Sequence, residues 1–196
     1  MIERYSRADM AEIWRDQHRY RLMLEIELLV CEALARRGTF EPGEVAELRA
    51  RASIDAGRVA EIEKEVHHDI VAFVSAAAES AGPAGRLLHF GMTSSDVVDT
   101  AFALQLSEAA QLLDKDLREL SSAVRTLAVA HRRTVMAGRT HGIHAEPLTF
   151  GLKLAGWYSE LSRGLDRLAA ARSRVAFGKL SGAVGTYAIN GPEIEA

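Results

Sequence analysis

An all-α fold organised around long helices is what this 196-residue sequence predicts, on three observations. Apolar side chains recur at spacings of three and four along most of the chain, which is the period of one helix face. From Asp96 to Met136 there is neither a glycine nor a proline. No stretch of useful length alternates apolar and polar residues with the period of two that a half-buried strand needs.

The elements follow in order. Ser6, with Asp9 three residues on, resembles a capping box, and Ile13, Tyr20, Leu24, Leu28, Cys31 and Ala35 then continue at helical spacing until Gly38, which predicts one long first helix. Pro42 opens a shorter helix running to about Ala52; Val59, Ile62 and Val66 mark a third, and Ile70, Phe73, Val74 and Ala77 a fourth that ends near Gly82. GPAGRLLHFGMTSSD then breaks the pattern with three glycines and a proline before three hydroxyl residues, Thr93, Ser94 and Ser95. The next helix is predicted over 96–136, with Leu113, Leu117, Leu120, Val124, Leu127 and His131 forming a narrow stripe that calls for partner helices. GRTHGIHAEP reads as a loop, and a helix starting at Pro147 runs towards Gly178 with Gly151, Gly156 and Gly164 inside it. Each interior glycine costs up to about 1 kcal/mol relative to alanine, so close approach of a neighbour is expected at all three. Pro192, Glu193 and Glu195 look like the first turn of a further helix.

Composition narrows the function classes. The chain is 48% hydrophobic and 6% aromatic, enough to build a core for one or two domains. Its 24 basic and 27 acidic side chains are scattered and sum to −3, so no nucleic-acid tract and no acidic tail are visible. The single cysteine, Cys31, cannot form an internal disulfide and sits at a helix-periodic apolar position, as a buried structural thiol in a reducing compartment would. MIERYSRADM lacks a signal-type apolar stretch, and no segment approaches the roughly 20 apolar residues of a membrane span. The expected location is cytoplasmic, with no membrane partner.

Histidine is the side chain that titrates near neutrality. Of the seven, His18 and His131 fall inside predicted helices and read as structural or surface residues. The other five stand at breaks: His67 and His68 before Asp69, His89 before TSSD, and His141 with His144 in GRTHGIHAEP. A metal site could be written from His141, His144 and Glu146, or from His67, His68 and Asp69, but zinc pairs on helices prefer i, i+4 spacing and no second cysteine is available. Acid–base work fits better, and no metal or cofactor is expected. The TSSD turn has two readings. A helix start leaves unpaired N–H groups and a positive dipole end, so one hydroxyl suffices as a cap, whereas several complete a carboxylate or phosphate cradle. Three in a row, with histidines at neighbouring breaks, favour the cradle.

RLLHFGMTSSDVVDTAFALQL, GRTHGIHAEPLTFGLKLAGWYSEL and GKLSGAVGTYA, in that order, with MIERYS and HHDIVAF ahead of them, closely resemble the adenylosuccinate lyase family of the fumarase/aspartase superfamily. The resemblance spans essentially the whole chain. It implies a homotetramer whose long helices form a central bundle, with a smaller N-terminal helical domain over 1–92 and the first part of the bundle domain over 93–196. It further implies anti β-elimination of fumarate from adenylosuccinate, giving AMP, and from the succinylaminoimidazole carboxamide ribotide SAICAR, giving AICAR. Carried over by motif, His141 is the general acid that protonates the departing nitrogen. His68, with His67 and Asp69, contacts the substrate and orients the acid; His89 is a substrate contact; Thr93 and Ser94 hold a succinyl carboxylate; Arg4 and Tyr5 bind the phosphate end.

The flexible signature loop of the family, of the type GSSAMPHKRNP, supplies the base and does not occur in these residues. The expectation is therefore an N-terminal portion that is inactive alone. A continuous helix over 96–136 would rise about 60 Å, so Thr93 and Ser94 of one subunit are expected to share a site with His141 of another. Argininosuccinate lyase and the carboxymuconate cycloisomerases have TSxD-like and bundle features too, and MIERYS with THGIHAEP discriminates against them. A non-catalytic helical assembly module is the alternative from another class.

Overall fold

The computed structural model describes residues 2–195; Met1 and Ala196 lie outside the described residues. After a 3₁₀ turn at Glu3–Tyr5 come α1 (Ala8–Ile13), α2 (Asp16–Arg36), α3 (Pro42–Arg51), α4 (Ala56–Val66), α5 (Asp69–Ala81), a 3₁₀ segment at Gly82–Leu87 and α6 (Ser94–Ala130). A hairpin of β1 (Val135–Thr140) and β2 (Ile143–Thr149) leads into α7 (Phe150–Val175), and a last 3₁₀ turn is at Pro192–Ile194. The fold is all-α apart from this two-stranded sheet. Packing divides it into two compact units: residues up to Leu106 together with those from Ala176 onward, and residues 107–175.

The first unit holds the main core. Met23, Leu24, Leu28 and Cys31 of α2 meet Val45 and Leu48 of α3, Val59 and Ile62 of α4, Phe73, Ala76 and Ala77 of α5, and Val97 and Ala101 at the start of α6. Phe73 is fully buried and stacks on Tyr20 at 5.8 Å between ring centroids. The expected single first helix is instead two. Trp14 and Arg15 separate them; Trp14 lies 6.2 Å from Phe102, and Gln105 donates to the Ile13 carbonyl at 2.6 Å. The Gln105 amide gives the Ile13 carbonyl the partner that a helix continuing through Trp14 would have supplied itself. The Ser6 hydroxyl donates to the Ile2 carbonyl, so the capping box does not form; the N-cap of α1 is Arg7, without a side-chain cap.

In the second unit α6 ends at Ala130, six residues before the expected Met136, and the expected loop is a β-hairpin with Val135 opposite Thr149 and Thr140 opposite Ile143. His131 organises the turn: its ring bonds the Thr134 hydroxyl at 3.2 Å, its carbonyl accepts from Gly151 N–H at 3.0 Å, and it packs edge-on against Phe150. α7 starts at Phe150 rather than Pro147, because Pro147 is a strand residue opposite Ala137. Leu113, Leu120 and Leu127 of the α6 stripe remain 44 to 50% exposed, and Trp157 of α7 is 49% exposed. No described helix is long and apolar enough to cross a membrane.

The interior glycines of α7 differ from expectation. A Cβ on Gly151 would sit 2.5 Å from the Ala128 carbonyl oxygen and 2.6 Å from Arg132 Cα, both backbone atoms of the facing segment. At Gly156 a Cβ would meet nothing within 4 Å, and at Gly164 only the Arg167 guanidinium at 3.9 Å. Close approach therefore explains Gly151 alone. In the 196-residue chain, Gly151→Ala is expected to lower stability by about 1–3 kcal/mol through overpacking, whereas Gly156→Ala is expected to raise it by about 0.5–1 kcal/mol through helix propensity. Urea unfolding of the two variants checks the opposite signs.

Candidate active site

Three of the four non-glycine residues at positive φ among those described are histidines singled out from the sequence: His67 at 52°, His89 at 62° and His141 at 51°, with Tyr187 the fourth. Left-handed backbone is disfavoured for residues with a Cβ. Each of these histidines ends or reverses an element, so its side chain leaves the regular pattern of its neighbours.

At the first break, His67 caps α4 with its N–H on the Glu63 carbonyl at 2.8 Å. His68 then returns to extended backbone as the N-cap of α5, and its Nδ1 accepts from Val71 N–H at 3.3 Å. The same Nδ1 lies 3.5 Å from Asp69 Oδ1, whose carboxylate also accepts from Ile70 N–H at 2.8 Å. His68 thus caps the helix through its ring nitrogen. All three side chains are exposed.

The second break runs from Leu88 to Ser94 and is built on two buried carboxylates. Glu27 of α2, 1% exposed, accepts both from the His89 backbone N–H and from its ring Nδ1, each at 2.6 Å. The Glu27 hydrogen bond raises the His89 pKa above its ordinary value against the opposing effect of burial, and the charges of Glu27 and Asp96 add to the rise. His89 is thereby biased towards imidazolium. Asp96, also 1% exposed, accepts from Thr93 N–H at 2.9 Å, from Lys179 Nζ at 2.6 Å, and from the backbone N–H groups of Ser181 and Gly182 at 3.2 and 3.1 Å. Lys179 Nζ also reaches Ser95 Oγ at 3.1 Å. Capping of the TSSD turn therefore falls to Asp96, and the half-buried Thr93 and Ser94 hydroxyls make no hydrogen bond among the described residues. Beside the turn, Gly91, Met92, Ser181, Tyr187 and Asn190 border a cavity of about 150 Å³.

The third break is the hairpin tip. His141 and Gly142 are its two central residues, and φ is positive at both, 51° and 77°, the type I′ arrangement. This puts His141 at the exposed tip and His144 on β2 opposite Arg139. Arg4 and Tyr5 lie in the first 3₁₀ turn, both exposed, with the Arg4 guanidinium 4.8 Å above the Tyr5 ring.

Local packing thus groups His89, Thr93 and Ser94 in one loop and His67, His68 and Asp69 at one junction; among the described residues no hydrogen bond or ion pair joins the two groups. His141 belongs to the second compact unit. Sequence reasoning missed Glu27, Asp96 as a hub, and Lys179. Glu27 had a signal, a carboxylate on the apolar stripe of α2 next to Leu24, Leu28 and Cys31. Cys31 is buried, donates to the Leu87 carbonyl at 3.4 Å, and burial followed by the Glu27 charge pushes its thiol up to about 12. Among the described residues no three His, Cys, Asp or Glu side chains are grouped to hold a metal ion.

The profile of the family described as Lyase matches residues 3–196. The chain is 50% identical over 196 residues to adenylosuccinate lyase of Synechocystis sp. and 49% identical over 195 residues to that of Bacillus subtilis. It spans all of its own length but about half the length of these curated relatives, 46% and 45%. Among solved structures, fumarate lyase from Mesorhizobium sp. superposes with a TM-score of 0.88 at 33% identity, over 95% of this chain and 45% of that one. The 3-carboxy-cis,cis-muconate lactonizing enzyme from Pseudomonas putida gives 0.86 at 33%, over 94% and 44%.

The buried Glu27 contact generates a pH prediction. His89 is expected to titrate above its ordinary 6.5, and Glu27→Gln to bring the midpoint down, followed by NMR of the imidazole protons. A raised folded-state pKa stabilises most below the unfolded value, so the contribution of His89 is fully present below about 6.5 and lost as pH rises through the raised value. A urea midpoint that does not shift between wild type and Glu27→Gln across that window would contradict it.

Proposed function

The chain belongs to the Lyase family, and on that premise we propose that it is the N-terminal portion of an adenylosuccinate lyase that eliminates fumarate from adenylosuccinate and from SAICAR, leaving AMP and AICAR. The observation that carries this reading is identity of 46–50% to adenylosuccinate lyases over essentially the whole chain, against 33% to the fumarate lyase and the lactonizing enzyme. We assign residues 1–92 to the N-terminal domain and 93–196 to the first part of the bundle domain of the whole protein, and place that protein in the cytoplasm.

In the proposed reaction a base removes a proton from the succinyl carbon next to one carboxylate, the electron pair becomes the C=C bond of fumarate, and the C–N bond breaks on the opposite face. His141 delivers a proton to the departing nitrogen. Its place at the exposed tip of a two-residue turn suits a group that must reach a substrate held elsewhere. His68, with His67 and Asp69 beside it, contacts the substrate and orients the acid. The Thr93 and Ser94 hydroxyls at the α6 N-terminus hold a succinyl carboxylate, where the helix end favours negative charge; His89 is a further substrate contact, and Arg4 and Tyr5 hold the phosphate end. The base belongs to a loop of the GSSAMPHKRNP type outside these residues.

We further propose a homotetramer with shared sites. α6 is continuous over 37 residues, a rise of about 55 Å, and in the sequence the TSSD turn precedes it and the hairpin of His141 follows it. A nucleotide carrying a four-carbon acid spans far less. The half-exposed leucines of α6 are the faces that partner helices would cover.

Residues 1–196 alone are expected to release no fumarate. In the full-length protein, His141→Asn should lower kcat by about 10² to 10⁴-fold with little rise in KM. Binding of neither AMP nor fumarate to the full-length protein would favour a non-catalytic assembly module instead. The shared site is tested by mixing two inactive full-length variants, Ser94→Ala and His141→Asn, under subunit exchange. Part of the activity should return, because some hybrid sites contain neither substitution; no recovery despite hybrid formation would place both motifs in one subunit's own site.

A further inference from the structure

We infer that Asp96 and Lys179 form a positioning pair that sets the geometry of the Thr93–Ser94 hydroxyls from a loop 83 residues away in sequence. This rests on the proposed role of Thr93 and Ser94 in holding a carboxylate.

Asp96 carries a carboxylate that is 1% exposed, in the first turn of α6. One of its oxygens takes the Thr93 N–H and the Gly182 N–H; the other takes Lys179 Nζ and the Ser181 N–H. Each oxygen therefore bonds the 179–182 loop, and one of them also bonds the backbone of Thr93 itself. Lys179 is the only full positive charge among these four donors, and its second bond, to Ser95 Oγ at 3.1 Å, keeps the third hydroxyl of the turn occupied. A further link ties the same two segments: Thr100 Oγ1 accepts from Lys179 N–H at 2.9 Å and donates to the Lys179 carbonyl at 3.1 Å. The backbone on both sides of the lysine side chain is fixed by α6, and the side chain returns to the first turn of α6.

The consequence is a division of tasks within three consecutive hydroxyls. Ser95 is engaged with Lys179, whereas Thr93 and Ser94 remain for a ligand. Without the ammonium, which reaches in from a side chain 37% exposed, the Asp96 carboxylate, itself 1% exposed, keeps its backbone donors but loses its counter-charge. The carboxylate would draw on the remaining donors, and Thr93, whose N–H it holds, would move with it. Lys179 does not touch the ligand in this proposal and acts through Asp96.

The experiment uses the full-length protein with fumarate and AMP as separate probes, one for the carboxylate end and one for the nucleotide end. Lys179→Met should weaken inhibition by fumarate at least about ten-fold, the scale of one misplaced charge-assisted hydrogen bond, and leave inhibition by AMP within two-fold or so. Lys179→Arg should restore most of the fumarate affinity. Asp96→Asn, which keeps the shape and removes the charge, should reproduce the Lys179→Met pattern and guards against a lysine variant that fails to fold. Equal weakening of fumarate and AMP, or no rescue by arginine, would mean a general structural role and overturn the proposal. Ser94→Ala is the control on the underlying reading. If it weakens fumarate while Lys179→Met and Asp96→Asn do not, the cradle stands and the positioning pair falls; if it leaves fumarate unchanged, the cradle itself falls.

Discussion

A carboxylate cannot be taken out of water uncompensated, and two that are 1% exposed, Glu27 and Asp96, shape the chain between Leu88 and Ser94. Desolvation of one such ion costs several kcal/mol even after relaxation, roughly, so each must be met by donors. Glu27 is met by a backbone N–H and a ring nitrogen of the same residue, His89. That double contact requires the backbone to present both donors to one side. His89 sits at φ 62°, so a disfavoured local conformation and a buried carboxylate–imidazole contact occur together. Asp96 is met by one ammonium and three backbone N–H groups drawn from two segments. The TSSD turn thus owes its form to the residue after its hydroxyls as much as to the hydroxyls.

The second constraint is backbone reversal. A two-residue hairpin needs positive φ at both central positions if its twist is to match the strands, and asparagine, aspartate or glycine usually fill the first of them. Here it is filled by His141, with Gly142 after it. Non-glycine residues at positive φ persist when the surroundings over-determine them, and the inference runs from the outlier to a role. With His67 and His89 in the same region of backbone space, the left-handed positions and the functional candidates coincide at three separate breaks.

The all-α class was legible because apolar spacing of three and four survives in every main helix, and the long α6 because nothing in its sequence interrupts it. His89, His141 and His144 were legible at breaks because a glycine stands within two residues of each, and His67 and His68 because they interrupt the helical spacing between Val66 and Ile70. The hairpin was not. VMAGRT and IHAEPLT contain only short apolar runs, Pro147 looks like a first helical position, and a His-Gly turn lacks the Asn-Gly signal; in the fold His131 bonds Thr134 locally and accepts from Gly151 across the hairpin. The division of the first helix at Trp14 was likewise invisible, since Phe102 and Gln105, which take up the broken end, lie about 90 residues away. Lys179 was hidden for the same reason, its partner being 83 residues distant; Glu27 stood out as a carboxylate on an apolar stripe, but nothing local pointed to its partner 62 residues away.

The candidate residues divide along the same line as the packing. His67, His68, Asp69, His89, Thr93 and Ser94 belong to the first compact unit and His141 to the second, and each is fixed by devices local to its own unit. A helix cap holds His68, a buried carboxylate holds His89, a second carboxylate holds the Thr93 backbone, and a type I′ turn holds His141. Among the described residues no side-chain hydrogen bond or ion pair joins one of these devices to another. A substitution at one of them should therefore act first on one group's geometry. The exception is α6, which belongs to both units and carries Asp96 in its first turn. Of the four groups, the Thr93 backbone is therefore the one held by a residue of an element that the two units share.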